Sequence, residues 1–261
     1  NEFEYINNVE RIFSRGGTSP EWIAHTFDSE YETELEDTAY ITANPHGKTV
    51  LEDRQQLDTH SAAARRFYRY GDWNPIKPSK LALYDPVVSY HTDVNIPNVD
   101  FFGDITPPQY VTDRAISVAR ELSPNRMILH YMQPHYPWVS RAIKEDRDVY
   151  DWEERPERVR QFSRKKVYNA YLTDLRFILN EIRKLLDNLD AEEVAISSDH
   201  GDAFGEWGMC GHGPGRFHPQ VRYVPWAVTS ASDSGEYIPQ ITPPQDTDIT
   251  ILSQLEALGY R

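Results

Sequence analysis

Residues 194–201 read VAISSDHG, a short apolar run that opens directly into an acid and a histidine. The run is typical of a buried strand of a parallel sheet. In such sheets, functional side chains gather where the strands end at their carboxyl edge. The stretch therefore predicts an α/β fold with a functional site around Asp199 and His200.

Apolar periodicity along the chain extends this prediction. Further strands are predicted at 38–43, 127–131 and 223–229. Helices are predicted at 3–13, 22–27, 110–122, 158–189 and 247–258. We expect one domain over residues 1–261 with a mostly parallel, buried sheet. Residues 47–108 are expected to form an irregular insertion within it, rich in proline and aromatic residues.

The charge balance excludes one class of partner. The chain carries 27 Lys and Arg against 41 Asp and Glu, a formal charge of −14, and only 7 of the 27 cations are Lys. A nucleic-acid-binding protein needs a basic surface, so no nucleic acid partner is expected. An acid-rich, lysine-poor composition is typical of salt-loving organisms, although an ordinary acidic cytosolic enzyme is the alternative.

Neither a membrane span nor a disulfide is predicted. No run approaches the roughly 18 apolar residues that a membrane-spanning helix requires. Cys210 is the single cysteine, so it has no partner for an internal disulfide. We expect a soluble protein, located in the cytoplasm or at the cell surface.

The densest ionisable cluster follows the strand at 194–198. Its seven side chains within 20 residues are Asp199, His200, Asp202, Glu206, His212, Arg216 and His218. Carboxylate and imidazole groups at the end of a buried strand suit a divalent metal. The alternative is that Asp199 caps a turn and His200 packs as a neutral imidazole. The density of the cluster favours the metal site.

Two other segments could carry chemistry. His135 lies in an aromatic, proline-rich loop just beyond the strand at 127–131, where it could point into a cleft or simply pack. The glycines before Thr18 lead to a helix start, where backbone N–H groups bind anions and a hydroxyl can act as a nucleophile. Thr18 and Glu21 also form a capping box, which occurs at many inert helices.

Taken in order, these segments resemble the alkaline phosphatase superfamily, and within it the sulfatase-like branch. The motifs that carry the resemblance are SRGGTSPEW (14–22), TAYITANP (38–45), ILHYMQPHYPW (128–138), VYNAYLTDLRFILNEIRKLL (167–186), SSDHGDAFGEWGMCGHG (197–213), VRYVPW (221–226) and LEALGYR (255–261). Their order and spacing are more specific than any one motif. The resemblance implies a three-layer α/β/α sandwich with its site at the carboxyl ends of the strands.

The resemblance also implies residue roles. Asp199, His200 and Thr18 would bind one divalent metal ion, either Mn, Mg, Ca or Zn, and Thr18 would also be the nucleophile. His212 would protonate the leaving oxygen. The substrate would be anionic, either a small molecule or a glycan or lipid headgroup, and its binding residues would be His135, Arg216 and Ser19.

One departure bears on the substrate. Sulfatases of this family carry Cys-x-Pro-x-Arg, and here Thr18 and Trp22 occupy the Cys and Arg positions. Threonine at that position is similar to the family's phosphotransferases, phosphodiesterases and phosphonate hydrolases. We therefore expect phosphate ester, phosphodiester or phosphonate chemistry, with sulfate ester hydrolysis less favoured. The alternative from another class is a catalytically silent domain that binds an anionic glycan or a protein partner.

A second departure concerns the sheet. The family opens with an apolar strand ending in acidic metal ligands, and the 17 residues before Thr18 contain no such strand. We expect that first strand to be absent from this chain. Because a missing central strand exposes apolar sheet edges, a detached N-terminal segment or a second chain is expected to complete the sheet.

Overall fold

The computed structural model describes residues 3–6, 8–53, 73–90, 106–154 and 163–244, which form a mixed α/β structure. The strands are β1 (Glu10–Phe13), β2 (Thr38–Thr42), β3 (Leu83–Asp85), β4 (Arg126–His130), β5 (Ala191–Ser197), β6 (Ala203–Phe204), β7 (Cys210–Gly211) and β8 (Tyr223–Ala231). The helices are α1 (Ser19–Thr26), α2 (Glu32–Glu36), α3 (His46–Leu51), α4 (Pro108–Leu122), α5 (Ser140–Glu145), α6 (Asp151–Glu154), α7 (Arg164–Leu186) and α8 (Pro219–Arg222).

The longer strands form two separate three-stranded sheets. One sheet is parallel, with strand order β3-β2-β4, and β2 pairs with β4 from Thr38 opposite Arg126 to Thr42 opposite His130. The other sheet is antiparallel, with order β1-β8-β5. The prediction of a parallel sheet with helices is confirmed, but that of one mostly parallel sheet is wrong for the described residues, because β8 runs antiparallel to both of its neighbours.

The parallel sheet is covered on both faces, which explains why β2 is apolar at successive positions. Ile41 packs into one hydrophobic core with Val111 of α4. Tyr40 points to the opposite face and packs with Ile23 of α1 and with Phe27, which follows the end of α1. Strand β2 is therefore packed beside α1, and β4 is paired with β2.

Most of the predicted long elements are confirmed. The strands predicted at 38–43, 127–131 and 194–198 correspond to β2, β4 and β5. The helices predicted at 110–122 and 158–189 correspond to α4 and α7, and the predicted helix start at Thr18 corresponds to α1. The helix predicted at 247–258 lies outside the described residues. In the part of the chain that is described, no helix is both long and apolar enough to cross a membrane.

One local prediction is wrong. The helix predicted over 3–13 is replaced at its end by β1, which pairs with β8 from Glu10 opposite Trp226 to Phe13 opposite Tyr223. Backbone pairing with a neighbouring strand satisfies the N–H and C=O groups and outweighs the local helical periodicity. The segment 47–108, predicted to be irregular, contains β3 and most of α3 in its described parts.

Candidate functional site

A cavity of about 2190 Å³ opens where the carboxyl ends of β4 and β5 meet the N-terminus of α1. Six of the seven predicted site residues line it, and they are Thr18, Ser19, His135, Asp199, His200 and His212. The seventh, Arg216, is exposed, and its side chain packs against Gly213 rather than lining the cavity. Residues from three distant parts of the sequence thus line one cavity.

Asp199 is fixed by contacts on each side. Its Oδ1 accepts a hydrogen bond of 2.8 Å from the backbone N–H of His200, and Oδ2 accepts one of 2.6 Å from Ser19 Oγ. Its carbonyl oxygen accepts a hydrogen bond from Ser14 Oγ. Burial raises the pKa of Asp199, but the nearby imidazoles of His200 and His130 outweigh burial and hold that pKa well below its usual range. Asp199 is therefore a carboxylate.

His130 joins this group, although it was not singled out from the sequence. Its Nε2 lies 3.4 Å from Asp199 Oδ2, and its Nδ1 lies 2.9 Å from the hydroxyl of Tyr40. Asn44, two residues beyond the end of β2, places its Nδ2 3.4 Å from His130 Nε2. The signal that could have found His130 and Asn44 is their position at or just after the carboxyl ends of predicted strands.

The N-terminus of α1 brings two hydroxyl groups to the cavity. Thr18 is the N-cap residue, and its Oγ1 accepts a long hydrogen bond of 3.4 Å from the backbone N–H of Glu21. Among the described residues, Thr18 Oγ1 donates to no partner, whereas the proton of Ser19 Oγ is held by Asp199. The preceding Gly16 is required because a Cβ there would lie 2.5 Å from the backbone nitrogen of Trp22.

Glu21 ties this turn to the loop that follows His212. Its side chain is fully buried. Oε2 accepts a hydrogen bond of 2.6 Å from Gly17 N, and Oε1 accepts one of 2.5 Å from Gly215 N. Arg222 Nη1 lies 3.8 Å from the same carboxylate. The capping-box glutamate therefore bonds to Gly17 and Gly215, which places the hydroxyl turn beside the histidine loop.

The β6–β7 hairpin brings His212 to Asp202. Asp202 precedes β6 and His212 follows β7, and His212 Nδ1 lies 2.8 Å from Asp202 Oδ1. Burial lowers the pKa of His212, but the hydrogen bond and charge of Asp202 outweigh burial, so the pKa of His212 is raised. The ring of His212 lies 4.2 Å from that of His200 and 5.6 Å from that of His135.

Each of these three imidazoles has an oxygen beside Nδ1. His135 Nδ1 is 2.6 Å from the Tyr136 carbonyl, and His200 Nδ1 is 3.1 Å from the Gly201 carbonyl. A carbonyl only accepts, so Nδ1 donates in both cases. Burial lowers the pKa of His135, and the neighbouring His212 lowers it further. His135 is therefore a neutral imidazole beside the more basic His212.

These donors do not complete a metal site. Two candidate ligand atoms, Asp199 Oδ2 and His200 Nε2, lie 3.7 Å apart. Asp199 Oδ2 already accepts the hydrogen bond from Ser19 Oγ. In the described ranges, no three His, Cys, Asp or Glu side chains are grouped so that they could hold a metal ion. Asp199 and His200 have the right chemistry for two ligands, but a full ligand set is not provided by the described residues.

No protein-family model matches the chain, and no curated protein matches it. The functional interpretation therefore depends on the geometry of the site and on the motifs of the sequence.

Proposed function

We propose that this protein is a metal-dependent hydrolase or transferase of phosphate esters, phosphodiesters or phosphonates, built on a sulfatase-like three-layer α/β/α sandwich. The observation that carries the proposal is the contact of Asp199 with Ser19 at the N-terminus of α1, with His130 and His200 beside it. A helix N-terminus binds an anionic group through its N–H groups and dipole. Group transfer from phosphorus also needs a nucleophile and a proton donor, and the same cavity holds both types of side chain.

Thr18 is the proposed nucleophile. It lines the cavity, and its hydroxyl proton has no acceptor among the described residues, so its oxygen can turn toward a bound phosphoryl group. As the new P–O bond forms, the hydroxyl proton passes to solvent water in the open cavity, while the P–O bond to the leaving alkoxide breaks. Ser19 lies one residue away, but its proton is held by the Asp199 carboxylate. Ser19 is therefore assigned to positioning Asp199 and to binding substrate oxygens rather than to attack.

The histidines supply proton transfer and anion binding. The Asp202 carboxylate orients His212 through Nδ1, so its Nε2 can hold the proton that the departing alkoxide needs. His135, half-buried in the same cavity, contacts the anionic group. Arg216 is exposed beside Gly213 and would reach the substrate only by swinging from its present position.

One divalent ion, Mn, Mg, Ca or Zn, is part of the proposal. Asp199 and His200 would provide two of its ligands, with Thr18 as a third. Because the described residues lack a complete ligand set, no catalytic step is assigned to the ion.

The test distinguishes a role of Thr18 as nucleophile from its role as the N-cap residue of α1. Thr18→Asn keeps an N-cap side chain but removes the hydroxyl, whereas Thr18→Ser keeps both. Turnover of an aryl phosphate, an aryl phosphodiester, an aryl phosphonate and an aryl sulfate is measured with each of the four metals. We expect turnover of a phosphorus substrate by wild type and Thr18→Ser and none by Thr18→Asn. Equal turnover by wild type and Thr18→Asn would remove Thr18 as the nucleophile.

A catalytically silent domain that binds an anionic glycan or a protein partner is the second candidate. The observation that favours it is the lack of a complete metal ligand set among the described residues. Calorimetric titration with inorganic phosphate distinguishes the two. Binding of phosphate without turnover of any of the four substrates would support the silent domain.

A further inference from the structure

Each of the two three-stranded sheets has one edge strand that lines the cavity, β4 in the parallel sheet and β5 in the antiparallel sheet. Strand β4 pairs with β2 on one side, and β5 pairs with β8 on one side. Among the described strands, neither has a partner on its other side. Residues of both strands line the cavity, from Arg126 to His130 and from Ala191 to Ser197. An edge strand presents a row of backbone N–H and C=O groups that another strand can pair with.

The two edges run in the same direction. The side chains of His130 at the end of β4 and Asp199 just beyond β5 approach to 3.4 Å, so the carboxyl ends of both strands meet. Asn125, just before β4, and Asp190, just before β5, both line the opposite end of the cavity. A strand placed between β4 and β5 would therefore run parallel to both.

The backbone of β4 is oriented for such pairing. The carbonyl oxygen of His130 accepts a hydrogen bond from Ala43 N, so His130 directs its backbone groups toward the β2 side. Because successive residues of a strand direct these groups to opposite sides, Leu129 and Met127 direct theirs into the cavity. Their side chains pack on the core of the parallel sheet.

The walls of the gap are apolar. Val194 and Ile196 of β5 are half-buried, and the α7 face that lines the gap includes Leu175, Ile178 and Ile182. Strands that are covered on both faces are continuous apolar runs, so the gap suits a strand of that composition. Seven residues, the length of β5, extend over about 23 Å at 3.3 Å per residue.

The amino end of the gap is acidic. Asp190, Glu192 and Glu193 are all exposed and line the cavity there, and Arg126, the first residue of β4, lines it from the opposite edge. A strand that enters with lysine or arginine at its amino end would complement these carboxylates.

We propose that the gap between β4 and β5 is a docking site for one extended peptide strand, apolar over about six or seven residues and basic at its amino end, which pairs with both edges and joins the two sheets into one. The strand comes from a segment other than the described residues. Pairing of this kind uses main-chain hydrogen bonds for affinity and side-chain pockets for specificity. Binding of the strand is separate from catalysis, so it can be measured whether or not the protein turns over an ester.

The probe is a fluorescein-labelled peptide of two lysines followed by six alternating valines and isoleucines. Fluorescence anisotropy measures its binding to the full chain, and amide hydrogen exchange locates it. We expect saturable binding that protects the amides of Met127 and Leu129. The same peptide with every second backbone nitrogen methylated is expected to bind at least about tenfold more weakly, because it lacks the donors for one of the two edges.

Two lysine substitutions form the matched pair. Val194→Lys puts a charge in the gap and is expected to weaken binding by about tenfold or more, since edge lysines block strand addition. Val228→Lys changes a half-exposed valine of β8 outside the cavity lining and is expected to leave binding within about twofold. Circular dichroism checks that both variants fold.

Three results would overturn the proposal. They are no saturable binding at millimolar peptide, equal binding of the methylated peptide, and protection of amides outside β4 and β5. Sedimentation equilibrium tests a second copy of this chain as the occupant. A dimer that Val194→Lys dissociates and that excludes the peptide would replace the peptide strand with self-association.

Discussion

Ser19 Oγ donates a 2.6 Å hydrogen bond to Asp199 Oδ2, joining residues that are 180 positions apart in the sequence. The contact places the N-terminus of α1 against the carboxyl end of β5. Asp199 in turn has His130 Nε2 at 3.4 Å and His200 Nε2 at 3.7 Å. The candidate site is therefore organised around one carboxylate and the first turn of one helix.

Removing this hydrogen bond should slow the reaction without abolishing it. Ser19→Ala leaves Thr18 in place but frees Asp199 Oδ2 to rotate. We expect kcat/KM for the phosphorus substrate to fall by about tenfold, the effect of losing one hydrogen bond of about 1.4 kcal/mol to a charged group. Ser89→Ala, at an exposed serine outside the cavity lining, is the control and should leave kcat/KM unchanged. Complete loss of activity in Ser19→Ala, with full activity in Thr18→Asn, would transfer the nucleophile role to Ser19.

Glu21 should be important for stability as well as for the site. Glu21→Gln replaces an oxygen that accepts from a backbone N–H with an amide that cannot accept, so one of the N–H groups of Gly17 and Gly215 loses its partner in a buried setting. We expect the free energy of unfolding to fall by about 2–4 kcal/mol, measured by urea denaturation. Glu30→Gln removes the same charge from an exposed pair with Arg15 and should cost less than about 1 kcal/mol. Equal losses in the two variants would show that the Glu21 bonds do not hold the turn.

Asp174 on α7 should make stability depend on pH. Its carboxylate accepts hydrogen bonds from the backbone N–H groups of Val139 and Ser140 at 3.1 Å each, and its side chain is fully buried. Burial outweighs these bonds and raises the pKa of Asp174 from 3.8 to about 6. The folded protein therefore binds a proton below about pH 6 that the unfolded chain binds only below its ordinary pKa, so this group favours folding as the pH falls.

The free energy of unfolding of wild type minus that of Asp174→Asn should thus rise by about 1–3 kcal/mol as the pH is lowered from 7 to 5. A pKa shift of one unit corresponds to about 1.36 kcal/mol. Urea denaturation at a series of pH values measures it. Asp148→Asn, which removes an exposed carboxylate of the same type, is the matched control variant. A difference between wild type and Asp174→Asn that falls over this range would contradict the raised pKa.

Local patterns in the sequence were sufficient to predict the strand and the helix that carry the site. The apolar run at 194–198 and the capping pattern from Thr18 to Glu21 are both short-range features, and they predicted β5 and α1. The same signals placed His135, Asp199 and His200 at the ends of elements, which is why they meet in one cavity.

Long-range pairing was the part that the sequence did not reveal. The apolar residues of segment 3–13 have helical periodicity, and pairing with β8 makes its end, β1, a strand. Strand β8 also lies between β1 and β5 and runs antiparallel to both, which the pattern within its own segment did not indicate. His130 was missed because its role depends on how close β4 comes to β5 across the cavity, which a residue pattern within one segment does not encode.

Substitution of Asp199 is the most direct test of the central claim, which is that this site transfers a phosphoryl group. Asp199→Asn keeps the shape of the side chain and removes the charge around which Ser19, His130 and His200 are arranged. We predict that turnover of the phosphorus substrate falls by at least about 10³-fold in the presence of each divalent metal, because a charged group acting on the transition state contributes several kcal/mol. Turnover within about threefold of wild type, in a variant shown by circular dichroism to be folded, would contradict it.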